Sequence, residues 1–216
     1  MTMDLFQDQQ AEQYCERIVE GAVVLRGRAC DSDRDLLDAI AMVARTAPFR
    51  HMLTPSGHTM SAAMTCCGQL GWVTDERGYR YQSEDPLTDR AWPDMPPPLF
   101  KLANQAAREA GYPDFMPDAC LINRYEPGAR MGLHQDKDEQ DFSQPIVSVS
   151  LGLPQVFQFG GAKRNQRPEN IPLGHGDVVV WGGPSRRFYH GVLRLKEGEH
   201  PLTGRYRYNL TFRKAR

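Results

Sequence analysis

The chain has 216 residues, of which 40% are hydrophobic and 25% are charged, and its formal net charge is −1; these values and the length are typical of one soluble globular domain, residues 1–216. No stretch is long and apolar enough to span a bilayer and the polar start MTMDLFQDQQ is not a secretory signal, so we expect a cytoplasmic protein without a membrane partner. Five cysteines, an odd count without metal-ligand spacing, argue against a disulfide framework or a zinc site.

The first part of the chain predicts one strand and one helix. The run from Val19 to Leu25 is typical of a strand. Ser32-Asp33-Arg34-Asp35 has the pattern of a capping box, and the apolar residues after it recur at helical spacing, so we predict a helix from about Asp33 to Thr46. These elements form an N-terminal extension, residues 1–48.

The next segment, residues 49–95, mixes aromatic, polar and turn residues and shows only short two-fold alternation. From its residues alone it reads as a small edge hairpin whose aromatic side chains pack on the helices. A second helix is predicted to begin near Pro96 to Pro98 and to end at Gly111. From Ala119 onward short β runs alternate with Gly and Pro turns, which indicates a sandwich or jelly roll. We therefore expect a mainly β protein with flanking helices, of the α+β class.

A candidate metal site begins at His134. Asp136 is two residues further on, so on a strand both side chains reach the same side. His190 lies in the run RFYHGV, whose aromatic and β-branched residues predict another strand. Two imidazoles and one carboxylate cover one side of an octahedral ion and leave open positions, as in non-haem Fe(II) oxygenases, although zinc can take the same three ligands.

The last predicted strand, RYNLTFR, favours iron over hydrolytic zinc. Because side chains alternate along a strand, one face is wholly polar and consists of Arg207, Asn209, Thr211 and Arg213. The opposite face is apolar and should pack in the core. A hydrolytic zinc site does not need two guanidinium groups, whereas a 2-oxoacid dicarboxylate does, since the arginine fork binds a carboxylate in two places and stays protonated.

Taken together, these residues resemble the AlkB family of Fe(II)/2-oxoglutarate-dependent dioxygenases. The motifs are His134-x-Asp136, His190 and Arg207-x-Asn209-x-x-x-Arg213. Further matching blocks occur in order at Leu121–Tyr125, Pro127–Gly128, Leu133–Asp138, Ile146–Gly152, Phe157–Gly161 and Gly174–Trp181. The resemblance covers about Pro48 to Arg213.

The resemblance implies a fold and a set of site residues. The fold is a double-stranded β-helix, or jelly-roll, core with N-terminal helices, in which 49–95 form a nucleotide-recognition lid and 96–216 form the second helix and the catalytic core. Fe(II) would be held by His134, Asp136 and His190. The 2-oxoglutarate site would consist of Asn123, Tyr125, Arg207, Asn209 and Arg213, with Arg213 near the iron-bound carboxylate. The substrate site would consist of Trp72, Tyr79, Tyr81, Met64, Asp138 and Arg164.

The reaction implied by the resemblance is oxidative dealkylation of N-alkylated bases, of the 1-methyladenine and 3-methylcytosine type. O2 and 2-oxoglutarate are consumed, and succinate, CO2 and formaldehyde are released. Such a base is cationic, so a carboxylate at Asp138 and an indole at Trp72 would favour it over a normal base. The implied partner is alkylated single-stranded DNA, or duplex by base flipping, with RNA as a further candidate, and we expect a monomer.

The net charge of −1 leaves no basic footprint in the overall composition, so nucleic-acid binding must rely on a local patch. The candidates are Lys163, Arg164 and Arg167 on one loop, Arg186 and Arg187 on another, and Lys214 and Arg216 at the end. Two alternatives stay open: an oxygenase of a protein side chain or small metabolite, and a non-catalytic nucleic-acid binding module. The sequence departs from the family pattern at His58, in place of tyrosine, and at Met131-Gly132, in place of a Leu-Ser pair.

Overall fold

The structure is a computed structural model, and it describes residues 13–216. The start MTMDLFQDQQ, interpreted above as no secretory signal, lies outside the described residues. Within 13–216 there are two α-helices, α1 (Asp33–Thr46) and α2 (Pro97–Glu109), and two short 3-10 helices, Cys30–Ser32 and Gly183–Ser185.

The strands of the described chain are short, as the spacing of Gly and Pro turns predicts. The first seven are β1 (Tyr14–Val19), β2 (Ala22–Arg26), β3 (Ala63–Gly68), β4 (Gly71–Asp75), β5 (Gly78–Gln82), β6 (Glu84–Asp85) and β7 (Arg90–Ala91). The remaining eight are β8 (Ala119–Tyr125), β9 (Met131–His134), β10 (Ile146–Gly152), β11 (Gln155–Phe159), β12 (Glu169–Leu173), β13 (Val178–Trp181), β14 (His190–Val192) and β15 (Arg207–Arg213).

Two antiparallel sheets face each other. The large sheet has the order β1-β2-β13-β10-β15-β8-β3, and the small sheet has the order β12-β11-β14-β9. Two hairpins, β4-β5 and β6-β7, form two-stranded sheets of their own and are not paired with either of the larger sheets. Neighbouring strands in each sheet are mostly distant in sequence, which is the crossover connectivity of a jelly roll. The predicted fold class, a jelly-roll core with flanking helices, is thereby confirmed.

The central strands of the large sheet, β13, β10 and β15, are buried on both faces, and β15 shows why. Its apolar residues Leu210 and Phe212 pack under the two helices, in a core cluster that includes Leu36 of α1 and Leu99 of α2. Its polar residues point the other way, between the two sheets, and Arg207 is only 1% exposed. The alternation predicted for RYNLTFR is therefore confirmed, and the polar face looks into a walled interior rather than into water.

Helix α1 has the predicted bounds and α2 ends two residues before the predicted Gly111. The predicted capping box is wrong, since Ser32 makes no side-chain capping bond and its hydroxyl donates to the Ala29 carbonyl. The predicted strand from Val19 to Leu25 is instead a hairpin, because Gly21, with φ +79°, turns the chain between β1 and β2. A glycine inside an apolar run is a turn signal, and here it divides the run into two strands.

The segment 49–95 divides between two parts of the fold. β3 pairs with β8 and forms an edge of the large sheet, whereas β4 and β5 form a separate hairpin.

All five cysteines are free thiols, as expected from their spacing. Over residues 13–216, no helix is both long and apolar enough to cross a membrane.

Gly152 provides a test of this packing. It ends β10 with φ +94°, and an added Cβ would meet the Thr203 hydroxyl and the Tyr206 carbonyl oxygen. We expect Gly152→Ala to lower the free energy of unfolding by about 2–4 kcal/mol, because backbone strain and overpacking add. Urea denaturation measures this loss.

The matched control is Gly204→Ala. Gly204 also has a left-handed backbone, with φ +59°, but an added Cβ meets nothing within 4 Å. Only the strain remains, so the expected loss is about 1 kcal/mol. Equal losses for the two variants would contradict the packing argument.

Candidate active site

A cavity of about 430 Å³ lies between the two sheets. Its floor comes from the inner face of the large sheet, through β8, β10 and β15, and its far wall comes from β9, β11 and β14 of the small sheet. The hairpin β4-β5 contributes Trp72 and Tyr79 at the mouth. The polar row of β15 predicted from the sequence lines this cavity.

The two predicted histidines meet at a strand pairing. His134 ends β9 and His190 begins β14, and their Cα atoms are register partners. Asp136 follows two residues after the end of β9, and its carboxylate oxygens lie 3.8 Å from the Nε2 atom of each histidine. The three potential ligand atoms all lie within 4.8 Å of one another. The structure thus brings together the three residues predicted as a metal triad.

The imidazoles are oriented for ligation by their other nitrogen. Nδ1 of His134 is 2.9 Å from the Gly132 carbonyl oxygen, and Nδ1 of His190 is 3.0 Å from that of Phe188. A carbonyl can only accept, so each Nδ1 carries the proton and each Nε2 presents a lone pair. Burial, together with His134 nearby, lowers the pKa of His190 to about 4. His190 is therefore neutral at physiological pH, the form that binds metals.

Arg213 holds the carboxylate of the triad. Its Nε and Nη2 donate to Oδ2 of Asp136 at 2.9 and 2.7 Å. Burial alone would raise the pKa of Asp136, but Arg213 and the two histidines hold it well below its ordinary value. Asp136 is therefore ionised although it is buried, with only 9% of its surface exposed.

A second buried ion pair supports the first. Glu139, with its side chain 2% exposed, lies 3.3 Å from Nε of Arg213 and 3.1 Å from Nη2 of Arg186. Nη1 of Arg186 donates to the backbone carbonyl of Asp136 at 3.1 Å. Two guanidinium groups and two carboxylates thus balance in charge within this network. The positive charge of Arg213, which the sequence assigned to the co-substrate, is already shared by two carboxylates.

Arg207 differs from Arg213 because part of its guanidinium has no protein partner. Nη2 donates to the Ser150 hydroxyl at 2.9 Å, but among the described residues Nε and Nη1 have no acceptor. Burial lowers the pKa of Arg207 to about 10, so the group remains a cation at physiological pH. The Oδ1 atom of Asn123, opposite β15 on β8, also lacks a donor within 13–216. Such buried, unpaired polar atoms are costly unless a ligand satisfies them.

The other predicted co-substrate residues line the same cavity. The Tyr125 ring lies 5.4 Å from the Arg207 guanidinium carbon. Burial raises the pKa of Tyr125, so its hydroxyl stays protonated and can donate. Asn209 donates to the Ser148 hydroxyl at 2.8 Å and accepts from Thr211 at 3.1 Å. The sequence-based prediction did not include Ser148 and Ser150, whose inward position follows only from the pairing of β10 with β15.

The mouth of the cavity carries an indole fixed by a carboxylate. Nε1 of Trp72 donates to Oδ2 of Asp138 at 2.9 Å, and the Trp72 ring stacks on Tyr79 with centroids 5.6 Å apart. Met64 lies fully buried in the wall, and Arg164 approaches the Tyr189 ring at 5.9 Å. The predicted substrate residues Trp72, Tyr79, Met64, Asp138 and Arg164 therefore all line one cavity, with Met64 in its buried wall.

Tyr81 was predicted with them, but it is not one of the described residues that line the cavity. It packs beside Leu70 and Ala119, and its hydroxyl donates to Oε1 of Glu139 at 2.8 Å. Two neighbouring carboxylates, at 138 and 139, therefore anchor the β4-β5 hairpin through Trp72 and Tyr81. The sequence does not indicate that Glu139 is buried, because a glutamate in the charged run Asp136-Lys137-Asp138-Glu139 is expected to face solvent.

In two of the three basic clusters predicted from sequence, one of the two cations is held by a carboxylate. Arg186 is 2% exposed and belongs to the buried network, so its assignment to a surface patch is wrong. Lys214 forms an ion pair with Asp118 at 3.0 Å. The loop with Lys163, Arg164 and Arg167 remains exposed, at the edge of the cavity that Arg164 lines.

The residues present fit a divalent metal and an anionic co-substrate. Two correctly oriented imidazoles and an ionised carboxylate form a three-ligand face that leaves other positions of an octahedral ion open. Beside it, the unpaired donors of Arg207 suit one carboxylate of a dicarboxylic acid. Fold and site together define the class of an oxygenase with a non-haem metal and a 2-oxoacid co-substrate.

Comparisons with known proteins give the same class and a narrower group within it. The model of the 2OG-Fe(II) oxygenase superfamily matches residues 21–213. Two proteins named alpha-ketoglutarate-dependent dioxygenase AlkB, from Salmonella typhimurium and Escherichia coli, are each 58% identical over 99% of this chain and 98% of their own. The chain therefore belongs to the AlkB family, and it is an Fe(II)- and 2-oxoglutarate-dependent dioxygenase.

More distant relatives match in structure or in sequence. The solved structure of OsALKBH1 superposes with a TM-score of 0.83 at 28% identity, covering 93% of this chain and 100% of that one. The nucleic acid dioxygenase ALKBH1 of Homo sapiens is 34% identical over 61% of this chain, which corresponds to 34% of the human protein.

Glu139 should matter for metal affinity although it does not touch the metal site. Glu139→Gln removes one of two carboxylates that balance Arg213 and Arg186, so the potential at the triad becomes more positive. We expect divalent cation binding to weaken by about tenfold or more, as for other groups that hold a ligand in place. Calorimetric titration with Co2+ in the absence of 2-oxoglutarate measures this.

The adjacent Asp138→Asn is the matched control, because Asp138 is exposed and bonds to Trp72 rather than to Arg213. It should bind Co2+ within about twofold of the wild-type protein. Wild-type affinity in Glu139→Gln would show that the buried network does not tune the triad.

Proposed function

We propose that this protein removes N-alkyl groups from bases of the 1-methyladenine and 3-methylcytosine type in nucleic acid, with single-stranded DNA preferred and RNA as a further substrate class. The observation that carries the proposal is the pair of Trp72 and Asp138, joined at 2.9 Å at the mouth of the cavity that holds the triad. We also propose that the protein acts as a monomer and that residues 49–95 contain its nucleotide-recognition lid.

The pair suits a cationic base for two physical reasons. An indole plane offers stacking to a base taken out of a helix, worth roughly 1–3 kcal/mol. An indole face and a nearby carboxylate both attract positive charge, which a normal base lacks. Oδ2 of Asp138 accepts from Trp72, so Oδ1 is available to an exocyclic amine. That the related human protein is named a nucleic acid dioxygenase further supports this substrate class.

Strand preference follows from the position of the alkyl group. N1 of adenine and N3 of cytosine lie on the base-pairing edge, so an alkyl group there weakens the pair. A cavity of about 430 Å³ accepts a base that has left the stack, not a paired one. An unpaired base enters without the cost of opening a duplex, which favours single strands.

The roles in the cofactor site follow from the contacts above. His134, Asp136 and His190 would hold Fe(II) through Nε2, a carboxylate oxygen and Nε2. Arg207, with the Tyr125 hydroxyl, would bind the far carboxylate of 2-oxoglutarate, and the two asparagines, Asn123 and Asn209, would complete its hydrogen bonds. Arg213 would serve first to hold Asp136 ionised and in place.

When bound, Fe(II) and 2-oxoglutarate supply the O2-dependent oxidation that hydroxylates the alkyl carbon, with succinate and CO2 as co-products. The protein orients the base, keeps His190 neutral and Asp136 ionised, and encloses the cavity between the two sheets. An N-hydroxymethyl group is unstable and leaves as formaldehyde, which restores the base.

The direct test is incubation of the iron-loaded protein with 2-oxoglutarate and a single-stranded oligonucleotide that contains one 1-methyladenine. We expect formaldehyde, succinate and the unmodified base in equal amounts. Trp72→Ala should lower kcat/KM on this oligonucleotide by about 5- to 150-fold, which is the value of one stacked base.

Trp72→Phe is the informative companion, since it keeps an aromatic plane and loses the donor to Asp138. Its kcat/KM on the methylated oligonucleotide should lie between the values of the wild-type protein and of Trp72→Ala. Unchanged turnover in Trp72→Ala on the true substrate would instead favour a metabolite or protein side chain as the substrate. Binding of oligonucleotide that is indifferent to iron and to His134→Ala, without product, would favour a non-catalytic module.

Arg207 tests the co-substrate site independently of the nucleic acid. Arg207→Met should weaken 2-oxoglutarate binding at least about tenfold, because charge-assisted hydrogen bonds are worth roughly 1.5–3 kcal/mol each. The measurement is an anaerobic titration of the Fe(II) protein with 2-oxoglutarate, followed by visible absorption. Arg205→Met, two residues earlier with its side chain 58% exposed, is the control and should titrate as wild type. A wild-type titration in Arg207→Met would remove Arg207 from the site.

A further inference from the structure

A second groove lies on the outer face of the small sheet. In β11, Phe157 and Phe159 point into the core, while Val156 and Gln158 are half-buried on the opposite face. Val156 and Gln158 line the groove, together with Leu193, which is 40% exposed. The groove thus has a partly apolar floor on the side of the sheet that faces away from the active-site cavity.

Three cations surround this floor. Arg130 precedes β9, and Arg194 and Lys196 follow β14, and all three side chains are exposed. Within residues 13–216 no ion pair joins any of them to a carboxylate, and Glu197, the acidic neighbour of Lys196, lies 4.0 Å from Arg205 instead. Arg194 makes one long bond, 3.4 Å, to the Gly128 carbonyl oxygen. The groove therefore combines concentrated positive charge with apolar surface.

The groove borders the active-site cavity across the β9–β14 edge of the small sheet. Met131, Gly132 and Val192 line both of them. β9 is an edge strand of the small sheet, and a Cβ added at Gly132 would meet nothing within 4 Å. A strand that leaves the cavity over the β9 edge would meet no side chain at Gly132, and the three cations lie beyond this edge on the outer face.

We propose that this groove binds the phosphates of the nucleic-acid strand that flanks the target base. The inference rests on the proposed function, which places one base of a strand in the cavity. Phosphates match the cations, and the flat faces of unpaired bases match the apolar floor of Val156 and Leu193. The strand would cross the β9 edge, so that the small sheet is contacted on both faces.

The test compares long and short substrates on the same protein. The Fe(II) and 2-oxoglutarate-loaded protein is titrated anaerobically with a methylated trinucleotide and with a long single strand carrying the same lesion. For Arg194→Gln combined with Lys196→Gln, affinity for the long strand should fall by about tenfold at moderate salt relative to that for the trinucleotide. The slope of log K against log salt should decrease by about 1.4, since each single-strand phosphate contact contributes about 0.7.

A matched control removes one arginine and one lysine elsewhere. Arg45→Gln combined with Lys101→Gln changes exposed residues of α1 and α2, on the far side of the large sheet, and should leave the ratio of long-strand to trinucleotide affinity unchanged. Leu193→Glu places a negative charge on the groove floor without removing a cation, and should lower the same ratio.

The outcomes separate the two proposals. If the wild-type protein demethylates the trinucleotide but the groove variants keep the wild-type affinity ratio and salt slope, the groove is not a strand site although the proposed function stands. If the wild-type protein produces no demethylated base from either substrate, the proposed function itself fails. An equal loss in the control and groove variants would indicate a general charge effect and overturn the groove assignment.

Discussion

The interior of this sandwich is organised by one constraint: β15 places four polar side chains between two sheets that would otherwise pack as an apolar core. Each polar atom there must find a partner, because burial without one costs free energy. The hydroxyls of Ser148 and Ser150 on β10 accept hydrogen bonds from Asn209 and Arg207, and the Asp136 carboxylate accepts from Arg213. The Nε and Nη1 donors of Arg207 have no acceptor among the described residues, and a pair of guanidinium donors suits a carboxylate. The proposed co-substrate site is thus formed by the polar atoms of β15 that have no partner within residues 13–216.

The need to pair buried polar groups also connects the β4-β5 hairpin at the mouth of the cavity with the metal triad inside it. Glu139 is buried because it must balance Arg186 and Arg213, and it also accepts from Tyr81 of the β4-β5 hairpin. Asp138 beside it accepts from Trp72. The hairpin is therefore docked on the segment that follows Asp136, through carboxylates separated from that ligand by one and two residues. A displacement of the hairpin on substrate binding would act on Arg213 and Asp136 through charged hydrogen bonds rather than through loose contacts.

Sequence patterns predicted what depends on local periodicity. The alternation in RYNLTFR and the apolar stripe of α1 follow from one strand or helix facing one core, and both are found as predicted. Patterns failed where the outcome depends on a partner far along the chain. Arg186 looked like a surface cation, and Tyr81 looked like a substrate contact, yet both meet Glu139. The triad was predictable at long range because its chemistry restricts which residues can be its members.

The overall charge of −1 is compatible with binding a polyanion because charge acts locally in salt water. Exposed charges are screened beyond about 10 Å at moderate ionic strength, so acidic residues on the helical side of the large sheet have little effect on the small sheet. Arg130, Arg194 and Lys196 come from two segments about sixty residues apart, brought together by the pairing of β9 with β14 and by backbone bonds of Leu195 to Gly128 and Ala129. A cluster assembled in this way leaves no run of basic residues in the sequence. The fold, rather than the composition, therefore determines where this protein can meet phosphate.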